Sequence, residues 1–193
     1  MNNNWVLLMF GLPHSGKSSL AQKLVSEHGF IHINLGAIIR KKLDNSETKE
    51  YAELNLAVSE GKMLSSKYIL NIVRNELNER KSKDVIFDGF PRNEEARNDF
   101  EELSLQNSWQ KEKIKLLNFI ISTQCSLEFQ VKRNRNHGKS ISAIRNRVSI
   151  YYQEECQVIK KMKTKYDCID LTWENGEVDN YKLVEEELIG KRV

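Results

Sequence analysis

Nine residues near the start of the chain, Gly11-Leu12-Pro13-His14-Ser15-Gly16-Lys17-Ser18-Ser19, have the make-up of a phosphate cradle. Gly11 to Ser18 fits the pattern G-x-x-x-x-G-K-[ST] in full. Its glycines let the backbone fold round an anion and turn several N–H groups inward. A helix opening near Gly16 adds its positive end at the same point. Lys17 can reach the β- and γ-phosphates of a bound nucleotide, and the Ser18 hydroxyl can ligate Mg²⁺.

A second group lies some seventy positions on, where Asp88 is followed by Gly89-Phe90-Pro91-Arg92. Alone, Asp-Gly reads as an ordinary turn. At the carboxyl end of a central strand, the same carboxylate sits where Mg²⁺ and its waters are held beside phosphates. A third group is the basic run Lys132, Arg133, Arg135, His137, Lys139, Arg145 and Arg147. It reads as a solvated helix face, as a nucleic-acid patch, or as a set of phosphate-binding cations. No aromatic residues interleave it, which disfavours the nucleic-acid reading.

The elements that must position these groups alternate along the chain. Trp5–Phe10 is strand-like and runs into the glycine turn, and a helix is predicted from about Gly16 to Glu27. Phe30–Asn34 is a second strand, and two or three helices follow between about Gly36 and Arg80. Val85–Asp88 is the next strand, then Leu116–Ile121, then a helix over Cys125–Arg135. Ile141, Ile144, Val148, Tyr151, Ile159 and Met162 predict one long helix by their three- and four-residue spacing. A short strand, Cys168–Leu171, and a helix, Val178–Ile189, close the chain. Continuous apolar strands alternating with helices imply a parallel sheet covered on both faces.

The 193 residues fit one α/β domain, and a net charge of +3 gives no general case for nucleic acid or membrane binding. Cys125, Cys156 and Cys168 form no Cys-x-x-Cys pair, so neither a disulfide framework nor a zinc site is expected. Met1–Asn4 has no basic region, and Trp5–Phe10 is too short for a signal peptide or a membrane span. A cytoplasmic monomer is the expectation, with no nucleic-acid or membrane partner.

In combination the motifs resemble the nucleoside monophosphate kinases of the adenylate kinase family. Gly11–Ser19 follows the family's glycine-rich G-x-P-G-S-G-K-[GS]-[ST] loop, and Asp88–Arg92 is its D-G-[FY]-P-R unchanged. Leu35-Gly36-Ala37-Ile38-Ile39-Arg40 occupies the place of T-G-[DE]-x-x-R. Glu60-Gly61-Lys62 resembles the E-G-K before the helix that borders the monophosphate site, and Arg147 with Tyr151-Tyr152 resembles R-x-x-x-Y-Y. His14 departs from the loop's usual glycine. Leu35 and Ala37 replace a threonine and an acidic residue, and Ala96 stands where adenylate kinases carry a glutamine that reads the AMP base.

The resemblance implies a single P-loop kinase domain over residues 1–193, with about five parallel strands sandwiched by helices. It implies a helical acceptor-binding subregion at about 36–64 and a short lid at about 135–143. The implied activity is γ-phosphoryl transfer from Mg-ATP to a nucleoside monophosphate, giving two diphosphates. A kinase of a non-nucleotide metabolite and a catalytically weak nucleotide-binding module are the alternatives. ATP is implied at Gly11, Pro13, His14, Ser15, Gly16, Lys17, Ser18 and Ser19, and Mg²⁺ at Ser18 and Asp88. The acceptor is implied at Leu35, Gly36, Arg40, Gly89, Arg92 and Ala96. Catalysis is implied at Lys17, Arg92, Arg133, Arg145 and Arg147.

Overall fold

The computed structural model describes residues 4–44, 49–79, 84–134, 140–172, 174 and 176–189. Five strands form one wholly parallel sheet in the order β2-β3-β1-β4-β5. They are β1 (Val6–Gly11), β2 (Ile31–Asn34), β3 (Val85–Asp88), β4 (Ile114–Ile120) and β5 (Asp167–Thr172). The central strand, β1, pairs Val6 with Val85 on one side and with Ile114 on the other.

All six residues of β1 are buried, as an apolar run without alternation requires of a strand covered on both faces. Side chains alternate across the sheet. Val6, Leu8 and Phe10 join one core with Phe87, Phe100, Leu116 and Val158. Trp5, Leu7 and Met9 join the other, with Leu20, Leu24, Leu117 and Val184. The latter core is roofed by α1 (Lys17–His28) and α9 (Gly176–Ile189). On the first face lie α4 (Ser66–Glu79), α5 (Glu94–Gln106) and α8 (Cys156–Met162). The helices α2 (Leu35–Asp44) and α3 (Lys49–Ser59) build the expected 36–64 segment, and α6 (Thr123–Asn134) and α7 (Ile141–Ile150) flank the lid position. Residues 135–139, most of the expected lid, lie outside the described residues.

The five expected strands are present, Val85–Asp88 with the expected ends and the others with ends moved by at most two residues. Two helical features differ from expectation. The segment after Arg92 forms α5, whose start is fixed by Asn93: its side-chain oxygen accepts from the Ala96 N–H at 2.8 Å. The long helix predicted over 141–162 is helical throughout but contains a π turn, Tyr151–Glu155, between α7 and α8. A π turn carries more residues per turn than an α-helix, so it changes which side chains face inward.

Candidate active site

The phosphate loop joins the carboxyl end of the central strand β1 to α1, at the point where the two halves of an open parallel sheet diverge. His14 lies at φ 64°, the left-handed region, so it performs the turn its usual glycine would make. Lys17 curls back over the loop. Its ammonium donates to the Gly11 carbonyl at 2.9 Å, the Leu12 carbonyl at 2.8 Å and Ser15 Oγ at 3.1 Å. Burial pushes its pKa down to about 8 against the pull of Asp88 and Glu155, while Arg92 and Arg147 push the same way.

Asp88 ends β3, the neighbour of β1, and is buried. Ser18 Oγ donates to its Oδ2 at 3.4 Å and Asn34 Nδ2 at 3.1 Å. His32 Nε2 is 3.5 Å away but not aligned to bond, so that contact is electrostatic. Burial works to raise the Asp88 pKa. The His32 ring and the charges of Lys17 and Arg92 outweigh it and hold the carboxyl below its ordinary value. Asn34 also receives the Ala37 N–H at 2.9 Å, so one side chain registers Asp88 and the start of α2 together.

Opposite the loop stand two arginines that share one carboxylate. Arg147 Nη2 donates to Glu155 Oε1 at 2.5 Å, and Arg92 Nε lies 3.7 Å from the same oxygen. Glu155 is 3% exposed. Arg92 Nε and Arg147 Nη1 are buried without hydrogen-bond partners. Burial pushes the Arg92 pKa down to about 10, Arg147 adds to this, and Glu155 and Asp88 oppose it. Two guanidinium groups with unfilled donors, facing a buried ammonium, make a site that attracts an anion with several oxygens.

A cavity of about 810 Å³ connects these parts. It is lined by the loop residues Gly11, Pro13, His14, Ser15, Gly16, Lys17, Ser18 and Ser19, and by Asp88, Gly89, Arg92 and Arg147. Leu35, Gly36, Arg40 and Ala96 line it too. Gly89 lies at φ 95°, and a Cβ there would stand 2.6 Å from Arg92 Nη2, so only glycine lets that guanidinium fold over the turn. Arg145 is exposed and is not among the lining residues, because two positions from Arg147 is more than half a turn round α7. Arg133 lies in the last turn of α6, and its side chain is outside the described residues, as are Arg135, His137 and Lys139.

Sequence reading missed Glu155, His32 and Asn34. The signal for Asn34 was its position as a potential cap directly before α2. His32 and Glu155 gave none, since their positions depend on strand pairing and on the π turn. The turn after α3 also touches α7. The Asn146 side chain donates to the Glu60 carbonyl at 3.0 Å, and Gly61 at φ 68° presses its backbone against Ala143.

The chain is 29% identical over 160 residues to UMP-CMP kinase 1 of Oryza sativa subsp. japonica, a match covering 80% of this chain and 62% of that protein. UMP-CMP kinase 2 of the same plant is 28% identical over 152 residues, with 58% of its length covered, so this chain spans about 60% of these relatives. An adenylate kinase of Porphyromonas gingivalis is 27% identical over 165 residues, covering 79% of each. The sequence model described as adenylate kinase matches residues 9–166, a span containing the loop, Asp88, both arginines and Glu155, and the chain therefore belongs to the adenylate kinase family.

Proposed function

We propose that the protein transfers the γ-phosphoryl group of Mg-ATP to a nucleoside monophosphate, yielding two nucleoside diphosphates. The convergence of Lys17, Asp88, Arg92 and Arg147 on one cavity of about 810 Å³ carries this reading. The relatives named for UMP, CMP and adenylate point to UMP, CMP or AMP as the acceptor.

An oxygen of the acceptor phosphate attacks the γ-phosphorus. The bond from that phosphorus to the β–γ bridging oxygen breaks, and ADP leaves with the electron pair. Little of this is covalent work for the protein, which aligns the partners and neutralises charge. Lys17 balances charge on the β- and γ-oxygens, and the acceptor phosphate bridges Arg92, Arg147 and Arg40. Arg133 contributes from the end of α6. Ser18 and Asp88 suit Mg²⁺, since a hydroxyl and a carboxylate 3.4 Å apart are the hard oxygen donors it takes. When bound, Mg²⁺ offsets the negative charge of the triphosphate. Residues 36–64 and the lid close over the cavity and keep water from taking the phosphoryl group. Ala96, 5% exposed, offers the acceptor base no amide, so selection among bases is weaker than a carboxamide would give.

No helix among the described residues is long and apolar enough to cross a membrane. All three cysteines carry free thiols, which suits the reducing cytoplasm. The test is a panel of AMP, CMP, UMP, GMP and TMP incubated with Mg-ATP and followed for diphosphate formation. At least one acceptor turns over in the wild type and none does with Lys17→Ala. No diphosphate above that control from any acceptor would refute the proposal.

A further inference from the structure

We propose that the last turn of α1 and the middle of α9 form a binding site for a first-row divalent cation of the zinc type, with Glu27, His28 and Glu185 as its protein ligands. Each offers one donor atom, a ring nitrogen or a carboxylate oxygen, and these atoms all lie within 4.8 Å of one another. Among the described residues no other three metal-ligating side chains converge in this way. None of the three lines the phosphate cavity. The helix α1 runs from Lys17 to His28, so the site stands roughly 16 Å along its axis from the cradle.

Packing brings the donors together. Leu24 of α1 joins Val184 and Leu188 of α9 in one core, which sets the two helices against each other. Gly29, at φ 71°, closes α1 and returns its N–H to the Leu24 and Val25 carbonyls, holding Glu27 and His28 in the final turn. Tyr181 and Glu185 are four apart and share one face of α9. His28 Nε2 lies 3.1 Å from Glu185 Oε1 and 2.9 Å from the Tyr181 hydroxyl. That hydroxyl donates to Glu27 Oε2 at 2.6 Å. Burial, with Glu27 and Glu185 beside it, pushes the Tyr181 pKa up, so the phenol keeps its proton and positions Glu27 rather than ligating an ion.

A tetrahedral ion with bonds of about 2.0–2.1 Å holds its ligand atoms about 3.3 Å apart. The His28 and Glu185 donors are already near that separation, at 3.1 Å. An imidazole nitrogen with two carboxylates suits zinc, whereas Mg²⁺ and Ca²⁺ take oxygen alone. Three protein ligands leave the fourth position to water. Glu27 is exposed, and the His28 and Glu185 side chains are 16% and 38% exposed, so an ion enters directly from solvent. It takes the lone pair of Nε2, the ring keeps its hydrogen on Nδ1, and a doubly protonated ring releases a proton. The bound ion offsets two carboxylates that otherwise share one imidazole, and it ties the end of α1 to α9.

The test titrates the full chain with Zn²⁺ by calorimetry in excess Mg²⁺, which fills sites built of oxygen donors. Wild type, His28→Gln, Glu185→Gln and Asp88→Asn are compared, with metal-free melting confirming that each folds. Wild type and Asp88→Asn bind one Zn²⁺ with the same affinity, and Zn²⁺ raises the melting temperature of both. His28→Gln and Glu185→Gln each weaken Zn²⁺ by at least about tenfold and lose that rise. Co²⁺ in place of Zn²⁺ gives the wild type the strong visible absorption of a four-coordinate ion, without the near-ultraviolet band of a cysteine ligand, and His28→Gln lacks it. No Zn²⁺ uptake by the wild type, or equal uptake by His28→Gln, would overturn the proposal. So would a loss in Asp88→Asn, since the ion would then sit beside the phosphate loop.

Discussion

Replacing Glu155 by glutamine tests the arrangement opposite the phosphate loop. Around the cavity Lys17, Arg92 and Arg147 are balanced by Asp88 and Glu155, and Glu155 is the deepest of the five. Its side chain is 4% exposed, against 20% for Arg147 and 32% for Arg92. Removing one partner of a buried ion pair costs about 3–5 kcal/mol, because the other charge is left uncompensated. Glutamine keeps the shape and one acceptor oxygen, and both arginines reach some solvent, so the expected loss is at the lower end, about 3 kcal/mol. For a chain of this size that lowers the melting temperature by roughly 6–12 °C. Phosphate oxygens can then take over the freed guanidinium donors. Mg-ATP together with UMP, CMP or AMP should therefore raise the melting temperature of the variant by more than that of the wild type. The control is Glu154→Gln, an exposed neighbour in the same turn, which should melt with the wild type. The assay is differential scanning calorimetry with and without nucleotides. A Glu155→Gln protein melting within 2 °C of the wild type, or gaining less from nucleotides, would refute the reasoning.

Three further outcomes are expected. The folded protein gives up the Lys17 proton near pH 8, whereas the unfolded chain keeps it to about 10.5. The unfolded state therefore binds more protons across that window, and this group adds stability as pH rises through it. Triphosphate binding needs the ammonium, so Mg-ATP affinity moves the other way: calorimetry should find it about tenfold weaker at pH 9 than at pH 7. Gly61→Ala puts a Cβ 2.5 Å from the Ala143 carbonyl at a left-handed φ of 68°, and should raise the monophosphate KM more than the ATP KM in steady-state assays. Asn93→Ala removes the α5 cap and the Ser66 hydrogen bond at 3.2 Å, and should cost about 1–2 kcal/mol in denaturant melts.

Features set by local backbone demands were readable in the sequence. The phosphate loop needs left-handed and unusual angles at fixed spacings, and only certain residues supply them, so Gly11, Gly16 and Lys17 announce it. The strand Val85–Asp88 is readable because an apolar run ends abruptly on an acid and a glycine. Glu155 was hidden for a physical reason: a three- and four-residue pattern assumes 3.6 residues per turn, and the π turn at Tyr151–Glu155 breaks that assumption at the point where the carboxylate turns in. The helix α5 was missed because its apolar stripe is thin, with Ala96, Phe100 and Leu103 as its buried hydrophobic members. Its capping asparagine and first-turn Glu94 and Glu95 were the available signal. Arg145 was grouped with Arg147 by proximity in sequence, which on a helix separates side chains.

The central position of β1 bears on how the chain comes together during synthesis. Val6 finds its partners only at Val85 and Ile114, both far downstream. At ~5–20 residues per second, an apolar segment emerging early waits roughly 5–20 s before both neighbours exist. Sheet assembly is therefore governed by distant pairings, which close slowly, while α1 can form on its own beside an unpaired strand. A ribosome-bound chain halted before Ile120 would carry that strand half-flanked, a natural ligand for a chaperone that holds extended apolar peptide.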